Sequence, residues 1–146
     1  MQYVIRSVRK SDSPDWLRLR NLLWEADDHE AEIAEFFNGN LVEPIEVLIA
    51  HDAAGTAVGH VELSIREDVP GLEGIKTGYI EGMYIEDAHR STGIAMQLLR
   101  ASEQWAKDQG CSAFASDRED RVIIHRRFPG NPPSNFLLQR TTLGGR

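Results

Sequence analysis

Cysteine occurs once, at Cys111, which rules out an internal disulfide framework and any Cys-rich zinc site and fits a reducing compartment, the cytoplasm. No run of about 18 apolar residues is present, so no membrane span is expected. The opening Met1-Gln2-Tyr3-Val4-Ile5-Arg6 lacks the basic-then-apolar layout of a signal peptide. An excess of positive charge is also missing. The chain sets 16 Lys and Arg against 23 Asp and Glu, a net −7, which disfavours non-specific nucleic-acid binding and favours cationic partners. His29, His51, His60, His89 and His125 show no metal-ligand spacing with carboxylates or Cys111, so no metal is expected. Cys111 has no identifiable activating base and reads as a small buried residue.

What is present suffices for one core. With 146 residues, 41% hydrophobic and 27% charged, the chain fits a single folded domain over 1–146. Tyr3-Val4-Ile5-Arg6-Ser7-Val8 reads as a strand, and Ser11-Asp12-Ser13-Pro14 supplies a cap and a helix-starting proline. Trp16, Leu19 and Leu23 form the apolar stripe of a helix ending near Trp24, with Arg18, Arg20 and Asn21 off it. An acidic helix follows in residues 25–37, carrying Ile33, Phe36 and Phe37 at helical spacing and stopped by Asn38-Gly39-Asn40; His29 is expected on its exposed surface. Strands are expected over 46–50 and 57–65, joined by a hairpin turn at Asp52-Ala53-Ala54-Gly55-Thr56. Tyr79-Ile80-Glu81-Gly82-Met83-Tyr84-Ile85 reads as a central strand whose glycine marks a bulge or a close backbone approach. The period then changes: Ile94, Leu98, Ala101 and Trp105 mark a longer amphipathic helix ending at Gly110, and Ser112-Ala113-Phe114-Ala115-Ser116 reads as a strand beside it.

Beyond Asp117 the pattern weakens. Arg118-Glu119-Asp120-Arg121 is charged, Val122-Ile123-Ile124 and Phe136-Leu137-Leu138 are short strands or helical turns, and Thr141-Thr142-Leu143-Gly144-Gly145-Arg146 reads as a disordered tail. The order βααβββαβ with an irregular end is an α+β domain.

The chemistry-bearing segment runs from Glu81 to Ala95, where a strand passes through a turn into a helix opening at Arg90-x-x-Gly93-x-Ala95. The first amides of a helix have no intrahelical acceptor and sit at its positive end. Small residues at Gly93 and Ala95 let an anion such as a pyrophosphate approach them, and Arg90 adds a charge.

This pattern resembles the acyl-CoA signature of the GNAT acetyltransferase superfamily, Gln/Arg-x-x-Gly-x-Gly/Ala, and within it the bacterial aminoglycoside 6′-N-acetyltransferases. The further matches are Leu17-Arg18-Leu19-Arg20-Asn21-Leu22-Leu23-Trp24, the acidic stretch after it, Leu63-Ser64-Ile65-Arg66, Glu81-Gly82, Gly110-Cys111 and Ala115-Ser116-Asp117. The resemblance implies a mixed, mostly antiparallel sheet flanked by helices, with its fourth and fifth strands splayed. It implies acetyl-CoA as cosubstrate, its pantetheine arm along Met83, Tyr84 and Ile85 and its phosphates on Arg90, Ser91, Thr92, Gly93, Ile94 and Ala95. It further implies direct acetyl transfer to the 6′-amine of an aminoglycoside, hence antibiotic resistance, with Trp24, Glu81 and Asp117 lining the acceptor pocket. Glu81 either accepts the amine proton, through water, or acts only by its charge. Trp24 is a pocket wall or a core residue, and Asp117 a pocket carboxylate or the cap of the next turn. The acidic stretch is an electronegative lip or simply a solvated face.

Residues 118–146 diverge from the family: no tyrosine follows Tyr84, so the tyrosine that protonates the leaving thiolate in much of the superfamily has no counterpart. This end is a variant way of completing the sheet or a truncated or frame-altered tail. An uncovered fifth strand would favour a homodimer by strand exchange. A GNAT enzyme for another small amine or polyamine, and a non-catalytic acyl-CoA-binding module, are the alternative functions.

Overall fold

The computed structural model describes residues 2–130. Six strands and three α-helices follow in the order β1 (Val4–Ser7), α1 (Ser13–Leu23), α2 (His29–Phe37), β2 (Glu46–His51), β3 (Ala57–Arg66), β4 (Thr77–Ile85), α3 (Ile94–Asp108), β5 (Ala113–Arg118) and β6 (Arg121–Arg127). The strands form one sheet in sequence order; β1–β2, β2–β3 and β5–β6 are antiparallel and β4–β5 is parallel. The chain divides into two units, Met1–Leu63 with Glu81–Ser102 and Ser64–Ile80 with Glu103–Arg146.

In the first unit, α1 and α2 are held by aromatic packing. Trp16 is fully buried and meets Phe36 and Phe37 edge-on at centroid distances of 5.0 and 5.9 Å, while Ile33 and Val47 complete the cluster. Edge-to-face pairs of this kind add about 0.5–1.5 kcal/mol to the area they bury. Leu19, one turn along the same stripe, packs on Ile49, Ala57 and Tyr84. Asp12 stands at the N-cap of α1, but its carboxylate turns back to accept the Arg9 amide at 2.7 Å and both Arg6 Nη atoms at 2.7 and 3.0 Å. Two expectations are corrected here. His29 is buried and bonds Asn21 Oδ1 through Nδ1 at 2.7 Å, and Arg20, read as off the apolar stripe, is buried too.

In the second unit, Val69, Leu72, Tyr79, Ala113 and Ala115 form the core. Gly78 is required by close packing: a Cβ there would lie 2.5 Å from the Ala106 Cβ on α3. The charged run after Asp117 is a hairpin turn rather than the loss of structure, with Glu119 at φ +56. It returns the chain as β6, so that Ala113 faces Arg127 and Arg118 faces Arg121. The edge of β5 is therefore paired within the chain, which removes the reason for expecting strand exchange. Phe136, Leu137, Leu138 and residues 141–146 lie outside the described residues. Within them, no helix is long and apolar enough to cross a membrane.

Candidate active site

Helix α1 stops at Leu23 because Trp24 leaves helical geometry at φ −134, ψ 146, its amide still bonded to the Arg20 carbonyl at 2.9 Å. That turn lays the indole on β4 at Gly82. A Cβ on Gly82 would meet Trp24 Cη2 at 2.5 Å, Cζ2 at 2.6 Å and Leu23 Cδ2 at 2.9 Å, so any side chain here would displace the ring. The glycine inside β4 thus marks a close approach, as one of the two sequence readings had it.

Beside this contact lies a cavity of about 160 Å³ lined by Arg20, Trp24, Glu43, Pro44, Glu62 and Glu81. Three carboxylates and one guanidinium give it a net negative wall, and Trp24 offers it an aromatic one. Trp24 lines this cavity and is half-buried. A larger cavity of about 450 Å³ opens between α1 and α2, near Leu17, Ile33 and Phe37, and contains none of the expected site residues.

Sequence reasoning missed Glu62 and Arg20. Glu62 is 1% exposed on β3; its Oε2 accepts Trp16 Nε1 at 3.0 Å, lies 3.1 Å from His60 Nε2 and 3.3 Å from Arg20 Nε. Burial opposes ionisation of Glu62, but the hydrogen bond and charge of His60, then Trp16 and Arg20, outweigh it and hold the carboxyl below its ordinary pKa. Arg20 also places Nη1 2.7 Å from Glu32 on α2, and its guanidinium lies 5.4 Å from the Trp24 ring centroid. The signal in the sequence was His60-x-Glu62-x-Ser64-x-Arg66, a row of polar residues at alternate positions of a strand whose other positions, Val61, Leu63 and Ile65, are apolar.

The loop from β4 to α3 leaves the start of that helix open. Gly93 sits at φ +91, a conformation that disfavours L side chains, and a Cβ there would meet nothing within 4 Å, so the approach to the helix start is open. The Gln97 amide bonds the Gly93 carbonyl at 3.1 Å, which leaves the amides of Ile94, Ala95 and Met96 ahead of the first intrahelical bond. Ser91 is also left-handed, at φ +66. Tyr3 OH reaches Thr92 Oγ1 at 2.7 Å and His89 Nδ1 at 3.0 Å, fixing this loop. Arg90 braces it from the other side: Nε donates to the Ile85 carbonyl at 2.9 Å and Nη1 pairs with Asp87 at 2.7 Å. Its guanidinium lies 5.4 Å from the Tyr84 ring centroid.

Met83, Tyr84 and Ile85 form the last part of β4. Among the described residues the parallel ladder to β5 runs from Thr77↔Ala113 to Ile80↔Ser116, whereas β4 itself continues to Ile85. Asp117 is exposed on β5, opposite Val122, and so belongs to a strand rather than capping a turn. Ser116 Oγ and His125 Nε2 are 2.7 Å apart across β5 and β6. Cys111 is buried, and that burial pushes its thiol up to about 11, too high for a nucleophile. Among the described residues no cluster of three or more His, Cys, Asp or Glu is arranged for a metal.

Residues 7–127 match the Acetyltransferase (GNAT) family. The chain belongs to the GNAT acetyltransferase family. An aminoglycoside N(6′)-acetyltransferase type 1 of Klebsiella aerogenes is 38% identical over 119 residues, 80% of this chain and 78% of that protein. The protein of the same name from Acinetobacter haemolyticus is 38% identical over 123 residues, 83% of each chain. Among solved structures, an aminoglycoside 6′-N-acetyltransferase from Acinetobacter baumannii superposes with a TM-score of 0.72 at 30% identity, covering 82% of this chain and 81% of the other. A fourth relative, AAC(6′)-Iy, solved with the bisubstrate analogue CoA-S-monomethyl-acetylneamine, gives 0.73 at 28% identity over 88% and 99%. The GNAT fold accounts for the six-stranded sheet and the loop before α3, and an acetyltransferase is accordingly the enzyme these elements build.

Proposed function

We propose that this GNAT acetyltransferase, one catalytic domain acting in the cytoplasm, transfers the acetyl group of acetyl-CoA to the 6′-amine of aminoglycosides. The observation that carries the reading is the cavity in which Trp24, seated on Gly82, stands with Glu81, Glu43 and Glu62. An amino sugar offers an apolar ring face to the indole and ammonium groups to the carboxylates. The resemblance to enzymes named for this activity supports the same substrate class.

The residues present suit the cosubstrate. The open backbone at Gly93 and the amides of Ile94, Ala95 and Met96 would hold its pyrophosphate, with Arg90, Ser91 and Thr92 in the loop around it. Met83, Tyr84 and Ile85, at the end of β4, would pair with the pantetheine amides. Acetyl-CoA supplies the thioester carbonyl that the amine attacks. A backbone amide of this β4 segment would hold the carbonyl oxygen as charge grows on it. Glu81 would draw the ammonium in and, through a water, would take the proton that the amine must lose to attack. No tyrosine follows Tyr84 in this sequence, so no residue is assigned to protonate the leaving thiolate.

The test is thiol release from acetyl-CoA with kanamycin, tobramycin and a 6′-hydroxyl aminoglycoside in parallel. Turnover on the amines alone is expected. Turnover on polyamines with none on aminoglycosides would move the enzyme to another acceptor, and acetyl-CoA binding without turnover on any amine would make it a binding module.

A further inference from the structure

Arg20 stands at the junction of three features. The buried Glu62 lies 3.3 Å from its Nε, Glu32 on α2 lies 2.7 Å from Nη1, and the Trp24 indole is 5.4 Å from its Cζ. Only a tenth of its side chain is exposed. Burying a guanidinium is costly without paired charges, and here two carboxylates from different elements supply them. The two carboxylates hold the cation by charge, since neither Nε nor Nη1 makes a hydrogen bond, and its planar guanidinium lies over the indole, a contact that a lysine ammonium, a point charge on a flexible stem, would not reproduce. Trp24 in turn has α1 behind it and the bare Gly82 backbone under it. Its position is therefore determined on one side by the strand and on another by the arginine.

We propose that Arg20 is a positioning residue for the acceptor pocket, holding the Trp24 wall at its spacing from Glu81, with Glu62 as the buried anchor of Arg20. This rests on the acceptor reading of the cavity given above. It makes a counterintuitive claim about charge. Arg20 is the only cation among the six residues lining an otherwise acidic cavity. If it acted through its charge alone, removing it would improve binding of a cationic acceptor. If it acts through Trp24, removing it weakens that binding.

The experiment compares Arg20→Gln and Arg20→Lys with the unsubstituted enzyme, measuring KM for kanamycin and for acetyl-CoA separately. We expect the kanamycin KM to rise about tenfold in both variants, with the acetyl-CoA KM within about twofold. A fall in kanamycin KM in Arg20→Gln, with Arg20→Lys unchanged, would assign Arg20 a purely electrostatic role and overturn the proposal. A parallel rise in both KM values would reduce it to a general structural one and do the same. A second readout needs no substrate. In a Trp105→Phe background the remaining indoles are the fully buried Trp16 and the half-buried Trp24, so acrylamide quenching reports on Trp24. Quenching should increase about twofold on Arg20→Lys, and no change would overturn the proposal. Should the unsubstituted enzyme ignore kanamycin, the acceptor reading fails, and quenching still decides whether Arg20 holds Trp24.

Discussion

Gly82→Ala tests the site at its tightest point. Carbon atoms pack at about 3.5–4.0 Å, so a methyl placed 2.5 Å from Trp24 Cη2 and 2.6 Å from Cζ2 intrudes by roughly 1 Å. Overpacking a rigid core costs about 1–3 kcal/mol. Trp24 is only half-buried and ends a helix, so the ring tilts away more readily than β4 shifts, which places the stability cost near the lower end. The larger effect falls on the reaction: a displacement of about 1 Å in a positioning group can cost about 100-fold in rate. We expect kcat/KM for kanamycin to fall about 10- to 100-fold, the acetyl-CoA KM to hold within about twofold, and urea denaturation to report a loss of about 1 kcal/mol. The cycle is completed by Trp24→Ala. With the indole gone the new methyl has nothing to displace, so Gly82→Ala should then cost little. Equal losses in both backgrounds, or full acceptor activity in Gly82→Ala, would refute the reasoning.

Gly93→Ala forces a methyl into a left-handed conformation at the start of α3, and Gly55→Ala, at φ +85 in a turn with the same open surroundings, controls for the strain. By calorimetry, acetyl-CoA affinity should fall at least fivefold in the first and hold in the second. Asp12→Asn should remove about 1.5–3 kcal/mol of stability at pH 7, the range of a charged hydrogen bond. Arg6, then the Arg9 amide, hold the Asp12 carboxyl below its ordinary pKa despite burial. Its contribution is therefore complete above the unfolded pKa of about 3.9 and lost as pH falls through the folded value. The two stability curves should converge in acid, and parallel curves would exclude the linkage. Cys111, raised to about 11 by burial, should stay silent to a thiol-reactive dye in the native protein and react once the chain is unfolded. A fast native reaction would contradict its burial.

Where local periodicity and packing agree, the sequence was a sufficient guide. The stripe of Trp16 and Leu19, the helical spacing of Ile33, Phe36 and Phe37 before Asn38-Gly39, and the change of period after Ile85 each led to an element found within a few residues of its expected bounds. The hairpin of β5 and β6 was not legible for a physical reason. Its strand Arg121–Arg127 is rich in arginine and half-exposed on an edge, so it lacks the apolar signal that marks a buried strand. Its turn, Glu119-Asp120, carries no glycine to announce the positive φ at Glu119. The strands buried by long-range pairing read clearly; β6, at the edge of the sheet among the described residues and specified by its neighbour, did not.

The site divides along the same line. Gly82, Glu81 and Gly93 were readable because each is an exception within its own element: a glycine in a strand, a charge in a buried run, a glycine before a helix. Arg20 was not, because its spacing from Trp16 is four residues, the same helix face, while its chemistry argues for solvent. That conflict is resolved by two carboxylates, Glu32 on α2 and Glu62 on a distant strand. Glu62 Oε2 receives the Trp16 indole and lies 3.3 Å from Arg20 Nε, so one buried anion serves a core residue and a residue of the cavity wall at once. The consequence is that the cavity wall and the α1 core share an anchor. Glu62→Gln should therefore lower stability and raise the kanamycin KM together, whereas Gly82→Ala should move mainly the second. A Glu62→Gln protein of full stability with a raised KM would separate the two roles and show that Trp16 needs no charged partner.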